Sequence, residues 1–128
     1  MRLLSLLLLP LLPLLPLASC TSSVVCYDYS EQVGDQYRTS SAEPHLWMED
    51  FDNTIESCCF SGVWMLYADD TYNNASSGGA WWGYGEGYCS NAPDAFRNMA
   101  SSLRPVGNPA DWTEDSLTLY SQEFYGGF

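Results

Sequence analysis

Short runs of apolar and aromatic residues, separated by glycine, asparagine and other turn-forming residues, recur along the chain after residue 23. β-branched and aromatic residues dominate these runs, which is typical of strands rather than helices. The pattern predicts strands at 24–29, 36–40, 45–48, 56–60, 64–67, 80–83, 88–90 and 101–106, with one helical turn at 94–97.

The first twenty residues follow a different pattern. A short basic start, Met1-Arg2, precedes an almost pure leucine run at 3–17 that Pro10, Pro13 and Pro16 interrupt. This predicts a secretory signal peptide at residues 1–20 and an extracellular protein. The run is too short and too rich in proline for a membrane span. An alternative is a lipoprotein-type sequence at 17–20, which would anchor the protein to a membrane through a lipid on Cys20.

Four cysteines follow Cys20, namely Cys26, Cys58, Cys59 and Cys89. An even number in a small exported domain indicates two disulfides. Cys58 and Cys59 are neighbours on a predicted strand, so their side chains point to opposite faces and are not expected to bond to each other. A metal site built from these cysteines is disfavoured, because the chain has no Cys-x-x-Cys pair and one histidine.

The chain is strongly acidic. It has 16 acidic residues, four arginines and no lysine, which gives a formal net charge of −12. Binding to nucleic acid or to an anionic membrane surface is therefore disfavoured. Such a surface attracts cations, Ca²⁺ among them.

One stretch carries a more specific signature. Leu66-Tyr67 is followed by Tyr72 five residues after the tyrosine and by Asn74 seven residues after it, and the stretch closes with the sequence 97–102, Arg-Asn-Met-Ala-Ser-Ser. This resembles the Greek-key motif of the βγ-crystallin family. That motif opens with Leu-Tyr, an aromatic residue at plus five and glycine at plus seven, and closes with an Asn/Asp pair, two variable residues, Ser/Thr and Ser. Asn74 is expected to adopt the left-handed conformation in place of glycine.

The signature recurs. Tyr27 is followed by Gly34 at plus seven and later by a closing sequence at 52–57, although Gln32 replaces the aromatic residue. Tyr120 is followed by Tyr125 and Gly127 at plus five and plus seven. The resemblance implies an all-β, two-sheet Greek-key sandwich of the βγ-crystallin type at 23–107, with units 23–62 and 63–107. Residues 108–128 are then a connector and a partial third unit, which could add an edge strand.

The resemblance also implies a disulfide pairing. In the family's fold, the last strand of one unit lies between its own first strand and the third strand of the other unit. Cys26 would therefore pair with one of Cys58 and Cys59, and Cys89 with the other.

Calcium binding is a further implication of the resemblance, because the family holds Ca²⁺ between its two closing turns. The implied ligands are Asp52, Asn53, Thr54 (carbonyl) and Glu56 from one turn, and Asn98, Met99 (carbonyl) and Ser101 from the other. Carboxylates, carbonyls and hydroxyls are the hard oxygen ligands that Ca²⁺ prefers. Two departures weaken the site: Arg97 stands where an acid or amide is expected, and Glu56 replaces Ser/Thr.

Other residues suggest further chemistry. Asn74-Ala75-Ser76 is a glycosylation sequon. Trp81-Trp82, Tyr84 and Tyr88 lie among glycines and could stack on sugars, and strand alternation would bury one of the two tryptophans and expose the other. His45 has no evident catalytic partner in the sequence, so no enzyme is predicted.

We therefore predict a secreted, non-enzymatic βγ-crystallin-like binding or structural protein that binds calcium. Its partner would be an extracellular protein or polysaccharide. One alternative is a protease inhibitor or killer-type toxin on the same fold, acting through the loops 73–79 or 107–115. A second alternative is a carbohydrate-binding module.

Overall fold

The computed structural model describes residues 20–127, which form antiparallel strands joined by short turns. The strands are β1 (Ser23–Tyr29), β2 (Val33–Thr39), β3 (Ser57–Tyr67), β4 (Ala80–Asn91) and β5 (Ser102–Val106). Two 3-10 helices, Ser30–Gln32 and Leu46–Glu49, and a helical segment α1 (Asp70–Asn73) lie between them. The predicted signal peptide lies outside the described residues, apart from Cys20.

Two long strands run through both layers of the fold. The first half of β3 pairs with β1 and with the second half of β4, and β1 also pairs with β2. The second half of β3 pairs with the first half of β4 and with β5, whose Leu103 forms a bridge with Glu43. Each unit thus contributes a strand to the sheet of the other. This is the predicted two-sheet Greek-key sandwich.

The core lies between the two sheets. Phe60 from the first sheet packs edge-on against Trp81 from the second, with ring centroids 5.5 Å apart. Such aromatic pairs add to the stabilisation that comes from burying their area. The core residues are Val24, Cys26, Leu46, Phe51, Ile55, Cys58, Phe60, Trp64, Leu66, Trp81, Ala92, Phe96, Ala100 and Leu103.

The strand predicted at 45–48 is wrong. Leu46–Glu49 form a 3-10 helix that ends at Asp50, whose backbone is left-handed. Leu46 is fully buried, whereas Trp47 and Met48 are both exposed, so burial does not alternate as it would on a strand. Glu43 occupies the expected third-strand position instead, through its pairing with Leu103.

Other predicted boundaries also change. The runs at 56–60 and 64–67 belong to the single strand β3, and those at 80–83 and 88–90 belong to β4. The single helical turn predicted at 94–97 corresponds to a turn in which the backbone N–H groups of Phe96 and Arg97 both donate to the Pro93 carbonyl. The tail does not add an edge strand within residues 116–127.

The two predicted anchors, Tyr27 and Tyr67, occupy equivalent places. Glu56 N donates to the Tyr27 carbonyl at 2.9 Å, and Ser101 N donates to the Tyr67 carbonyl at 2.8 Å. Each anchor therefore meets the closing turn of its own unit in the same way, and the internal repeat is structural as well as sequential.

The corner that follows each anchor is left-handed. Positive φ values occur at Glu31, Gln32 and Gly34 in the first unit, and at Thr71, Tyr72 and Asn73 in the second. The prediction for Asn74 is therefore wrong: Asn74 is right-handed, with φ −63°, and Asn73 is the left-handed residue, with φ 55°.

The C-terminal tail makes the corner a third time. Phe124, Tyr125 and Gly127 have positive φ at plus four, plus five and plus seven from Tyr120, as in the first unit. Tyr120 and Tyr125 pack edge-on at 5.6 Å, as Tyr67 and Tyr72 do at 5.8 Å. The tail thus has the local form of a third corner.

Candidate functional sites

Two disulfides join the strands of the first sheet. Cys26 bonds to Cys58 and Cys59 bonds to Cys89, and each pair lies directly opposite in the strand register. This is one of the two pairings that the resemblance left open. Cys20 is the one cysteine among residues 20–127 outside a disulfide.

The two closing turns, at 52–57 and 97–102, cross-link the units. Asn53 N donates to the Ala100 carbonyl at 2.9 Å, and Asn98 N donates to the Ile55 carbonyl at 3.0 Å. Both asparagines are left-handed, with φ 54° and 59°. The predicted calcium ligands of the two turns are therefore brought together by reciprocal backbone hydrogen bonds.

The serine that ends each turn fixes the neighbouring corner. Ser57 Oγ donates to the Tyr29 carbonyl and accepts from Gln32 N. Ser102 Oγ likewise donates to the Asp69 carbonyl and accepts from Tyr72 N. Both serines are fully buried, and in this position a hydroxyl satisfies backbone groups that would otherwise lack partners.

The predicted ligand Glu56 is already engaged. One carboxylate oxygen accepts from Asn98 Nδ2 at 3.0 Å, and the other accepts from Ser30 Oγ at 2.9 Å and Ser30 N at 3.2 Å. These hydrogen bonds, first from Asn98 and then from Ser30, hold the pKa of Glu56 below its ordinary value. Glu56 thus links the corner of its own unit to the turn of the other.

On the other side of the paired closing turns lies Asp52, whose carboxylate is only partly hydrogen-bonded. Asp52 Oδ2 accepts from Asn53 Nδ2 at 3.0 Å, whereas Asp52 Oδ1 is buried and has no hydrogen-bond partner within residues 20–127. The Asn53–Ala100 hydrogen bond brings the backbone of this turn to the segment that carries Met99 and Ser101. An unpartnered buried carboxylate oxygen is costly unless a donor or cation satisfies it.

The two sides therefore differ in their fit to Ca²⁺. The Asp52 side supplies a buried carboxylate oxygen that has no hydrogen-bond partner within residues 20–127. On the Glu56 side both carboxylate oxygens have donors, and Arg97, at the position equivalent to Asp52, forms an ion pair with Asp94 at 3.0 Å. No group of three His, Cys, Asp or Glu residues suited to a metal occurs in the described part of the chain, so a cation here would rely on mixed oxygen ligands.

Arg104 holds the tail against the second unit, a contact that sequence inspection missed. Its Nε donates to Tyr67 Oη at 2.9 Å, and its Nη2 donates to the carbonyls of Tyr125 and Gly127 at 3.1 and 3.0 Å. The guanidinium also lies 4.8–5.4 Å from the ring centroids of Tyr67, Tyr72 and Tyr120. We call Arg104 with these three rings the tyrosine cage. The recurring Tyr-x4-Tyr spacing was the one available signal for it.

Ionisation in the tyrosine cage is shifted by burial. Burial raises the pKa of Tyr67 to about 12, and the Arg104 charge opposes that rise. Burial also raises the pKa of Tyr72 and Tyr120. All three phenols are therefore neutral at physiological pH, which preserves the π faces and the hydroxyl that Arg104 contacts.

Trp82, Tyr84 and Tyr88 line the outer face of β4, where they are 51%, 61% and 62% exposed. Trp81 is 8% exposed, so the expected burial of one tryptophan and exposure of the other is confirmed. The Trp82 and Tyr84 rings are stacked 5.8 Å apart at an angle of 20°.

The sequon and the loop at 73–79 lie beside the tail. Asn74 is half-buried, and its carbonyl accepts from Gln122 Nε2 at 2.8 Å. The side chain of Asn73 is buried and donates to the carbonyls of Gly78 and Gly79, so these hydrogen bonds link the two ends of the loop. Glycosylation of Asn74 stays a prediction.

His45 has an acidic neighbour that the sequence did not indicate. Its Nδ1 lies 3.4 Å from Asp70 Oδ2, which also accepts from Trp47 Nε1 at 3.1 Å. Among residues 20–127 there is no helix long and apolar enough to cross a membrane.

Comparison with solved structures identifies the fold. No protein-family model and no curated protein matches the sequence. A βγ-crystallin from Ciona intestinalis superposes on 66% of this chain and 99% of its own, with 14% identity and a TM-score of 0.54. An archaeal βγ-crystallin covers 67% of this chain and 99% of its own, with 23% identity and a TM-score of 0.51. With the strand order and paired turns described above, these similarities show that the chain has the βγ-crystallin fold.

Proposed function

We propose that this chain is a secreted, non-enzymatic protein of structural or binding role, which is stabilised by one Ca²⁺ on the Asp52 side of its paired turns. The observation that carries the proposal is the buried Asp52 Oδ1, which lacks a hydrogen-bond partner within the described residues. A calcium ion would satisfy this oxygen together with the Ser101 hydroxyl and the Met99 carbonyl. The net charge of −12 favours a bound cation.

The expected stoichiometry is one rather than two. Glu56 already accepts hydrogen bonds on both oxygens, and a second ion would have to displace Asn98 and Ser30. Arg97 adds a positive charge to that side of the turns, which disfavours a cation further.

Secretion is supported by the leucine-rich leader and by the two disulfides, which persist in oxidising compartments. We assign no catalytic role to His45 and Asp70, because their contacts within residues 20–127, with each other and with Trp47, include no third group of a catalytic set. Intact mass of the exported protein would locate its mature N-terminus, and a diacylglyceryl adduct on Cys20 would contradict free secretion.

Calorimetric titration of chelator-treated protein tests the calcium proposal. The wild type should bind one Ca²⁺ and melt at a higher temperature in its presence. Asp52→Asn should weaken binding by at least about tenfold, since a charged ligand becomes neutral. Asp35→Asn, an exposed acid on β2, is the matched control and should bind as the wild type does. Neither heat nor a melting shift at millimolar Ca²⁺, or equal binding by Asp52→Asn, would overturn the proposal.

A further inference from the structure

A long open groove crosses the outer face of the second unit. It consists of two cavities, of about 370 and 360 Å³, that share Trp82 as a common wall. Cavities of this size are in the range used for small-ligand recognition. The first is lined by Trp82, Gly83, Tyr84, Gly85, Tyr88 and Ser90. The second is lined by Val63, Met65, Trp82, Val106, Gly107, Ser116, Thr118, Tyr120 and Tyr125.

Glycines form the floor of the first cavity, and packing explains why. A Cβ on Gly83 would lie 2.1 Å from the Phe60 ring, which covers this position from the core side. A Cβ on Gly85 would lie 2.6 Å from Tyr88 Cβ. The missing side chain of Gly83 would point into the core, so core packing requires glycine there and leaves bare backbone on the cavity side. The rings of Trp82 and Tyr84 stand out from β4 on either side of it.

The far wall of the second cavity comes from the tail. Tyr120 and Tyr125 reach this wall because the tyrosine cage holds the last turn of the tail, with Arg104 bonded to the Tyr125 and Gly127 carbonyls. The aromatic lining therefore continues from Tyr88 past Trp82 to Tyr120. Arg104 acts as a positioning residue for the far wall.

The chemistry of the lining is neutral. Of the described residues that line the two cavities, none is charged. The polar groups are hydroxyls of serine, threonine and tyrosine, the Trp82 indole N–H and backbone amides. Exposed aromatic faces beside hydroxyls match a ligand that alternates C–H faces with hydroxyl groups. The chain carries a net charge of −12, so anionic polymers are repelled.

From these observations we infer that the groove binds a neutral polysaccharide chain, laid from the Tyr88 end across Trp82 to the tail. The described residues that line the groove include no Asp or Glu with which a basic peptide could form an ion pair. The groove lies apart from the paired closing turns, so this binding does not depend on calcium.

Affinity electrophoresis through gels that contain a neutral β-glucan, xylan or mannan tests the inference, with a chelator present throughout. We expect retardation by at least one of these polymers and none by heparin. Trp82→Ala and Tyr84→Ala should each weaken binding by about tenfold or more, because each removes one stacking face. Trp47→Ala is the matched control: Trp47 is 56% exposed but lies outside the groove, and its loss should leave retardation unchanged.

Arg104→Met should also reduce retardation, because the tail wall loses its anchor, while Trp82→Phe should restore most of the binding. Melting temperatures of the variants confirm that the fold is retained. Absence of retardation by every neutral polymer, retardation by heparin alone, capture of polylysine without polysaccharide, or equal retardation of wild type and Trp82→Ala would each overturn the inference.

Discussion

At residues 52–57 and 97–102 the chain makes the same turn twice, with reciprocal backbone hydrogen bonds between the copies and a buried serine at the end of each. The side chains at the two ligand positions nevertheless differ. The first turn has Asp52 and Glu56, where the second has Arg97 and Ser101. The same backbone geometry therefore holds two different carboxylates. Both oxygens of Glu56 accept hydrogen bonds on one side of the turns, whereas Asp52 on the other side has an oxygen without a partner within residues 20–127.

The two sheets are also stabilised by different kinds of link. The first sheet carries both disulfides, whereas the second carries none within residues 20–127 and relies on the tyrosine cage and the tail. A covalent link acts mainly by restricting the unfolded chain, and the cage acts only in the folded state. Each link can be removed separately, which makes the contrast measurable.

Removal of the Cys26–Cys58 bridge should have the largest effect. The double variant Cys26→Ala, Cys58→Ala should lower the free energy of unfolding by about 3 kcal/mol, since the bridge closes a loop of 32 residues and both cysteines are buried. Urea unfolding measures the change. The partly exposed Cys59–Cys89 pair, replaced in the same way, is the comparison and should cost less. A loss below about 1 kcal/mol at Cys26–Cys58 would contradict the role given to the bridge.

Replacement of Arg104, the cation of the tyrosine cage, should have the second-largest effect on stability. Arg104→Met should lower the free energy of unfolding by about 2 kcal/mol, because three hydrogen bonds and the ring contacts are lost while much of the side-chain volume is kept. It should also expose 116–127 to proteases, which limited proteolysis with mass spectrometry would detect. Arg38→Met, an exposed arginine on β2, is the control and should leave the tail as resistant as in the wild type. Equal cleavage rates in the two variants would argue against the cage.

Loss of the Glu56 charge should have the smallest effect and a distinctive pH dependence. The folded-state pKa of Glu56 is lowered, so its ionised form stabilises the fold above the unfolded-state pKa and that contribution disappears as pH falls through the folded-state value. Glu56→Gln should therefore be less stable than wild type at pH 7 and converge with it in acid. Thermal melts from pH 7 to pH 2 provide the measurement, and Glu49→Gln, at an exposed position, should show no such convergence. A pH-independent difference would contradict the hydrogen-bonded role of the carboxylate.

Much of the fold follows from short-range rules that a sequence displays. Alternation along a strand places Cys58 and Cys59 on opposite faces and separates buried Trp81 from exposed Trp82. The spacing from each tyrosine to the next left-handed residue marks the repeated corner. These features depend on neighbours within a few residues, so they can be recognised in the sequence alone.

Several features that depend on particular side-chain contacts were not predicted. Leu46 is apolar in a β-like run, yet its burial beneath the closing turn requires a 3-10 helix. Asn73 rather than Asn74 is left-handed, because the Asn73 side chain bonds to Asp69 N and to the Gly78 carbonyl. The Glu56 link and the tyrosine cage join groups 16 to 42 residues apart, and apart from the Tyr-x4-Tyr spacing no local pattern indicates these contacts.

The continuity of β3 and β4 across both sheets has a consequence for unfolding. Neither sheet can separate from the other without distorting a strand that both use, because Ser57–Tyr67 and Ala80–Asn91 each belong to both. Within residues 20–127, β3 and β4 run from one sheet to the other without an intervening loop, so opening one Greek-key unit disturbs the other. The pair is therefore expected to melt as a single cooperative body, with no half-folded species populated at equilibrium.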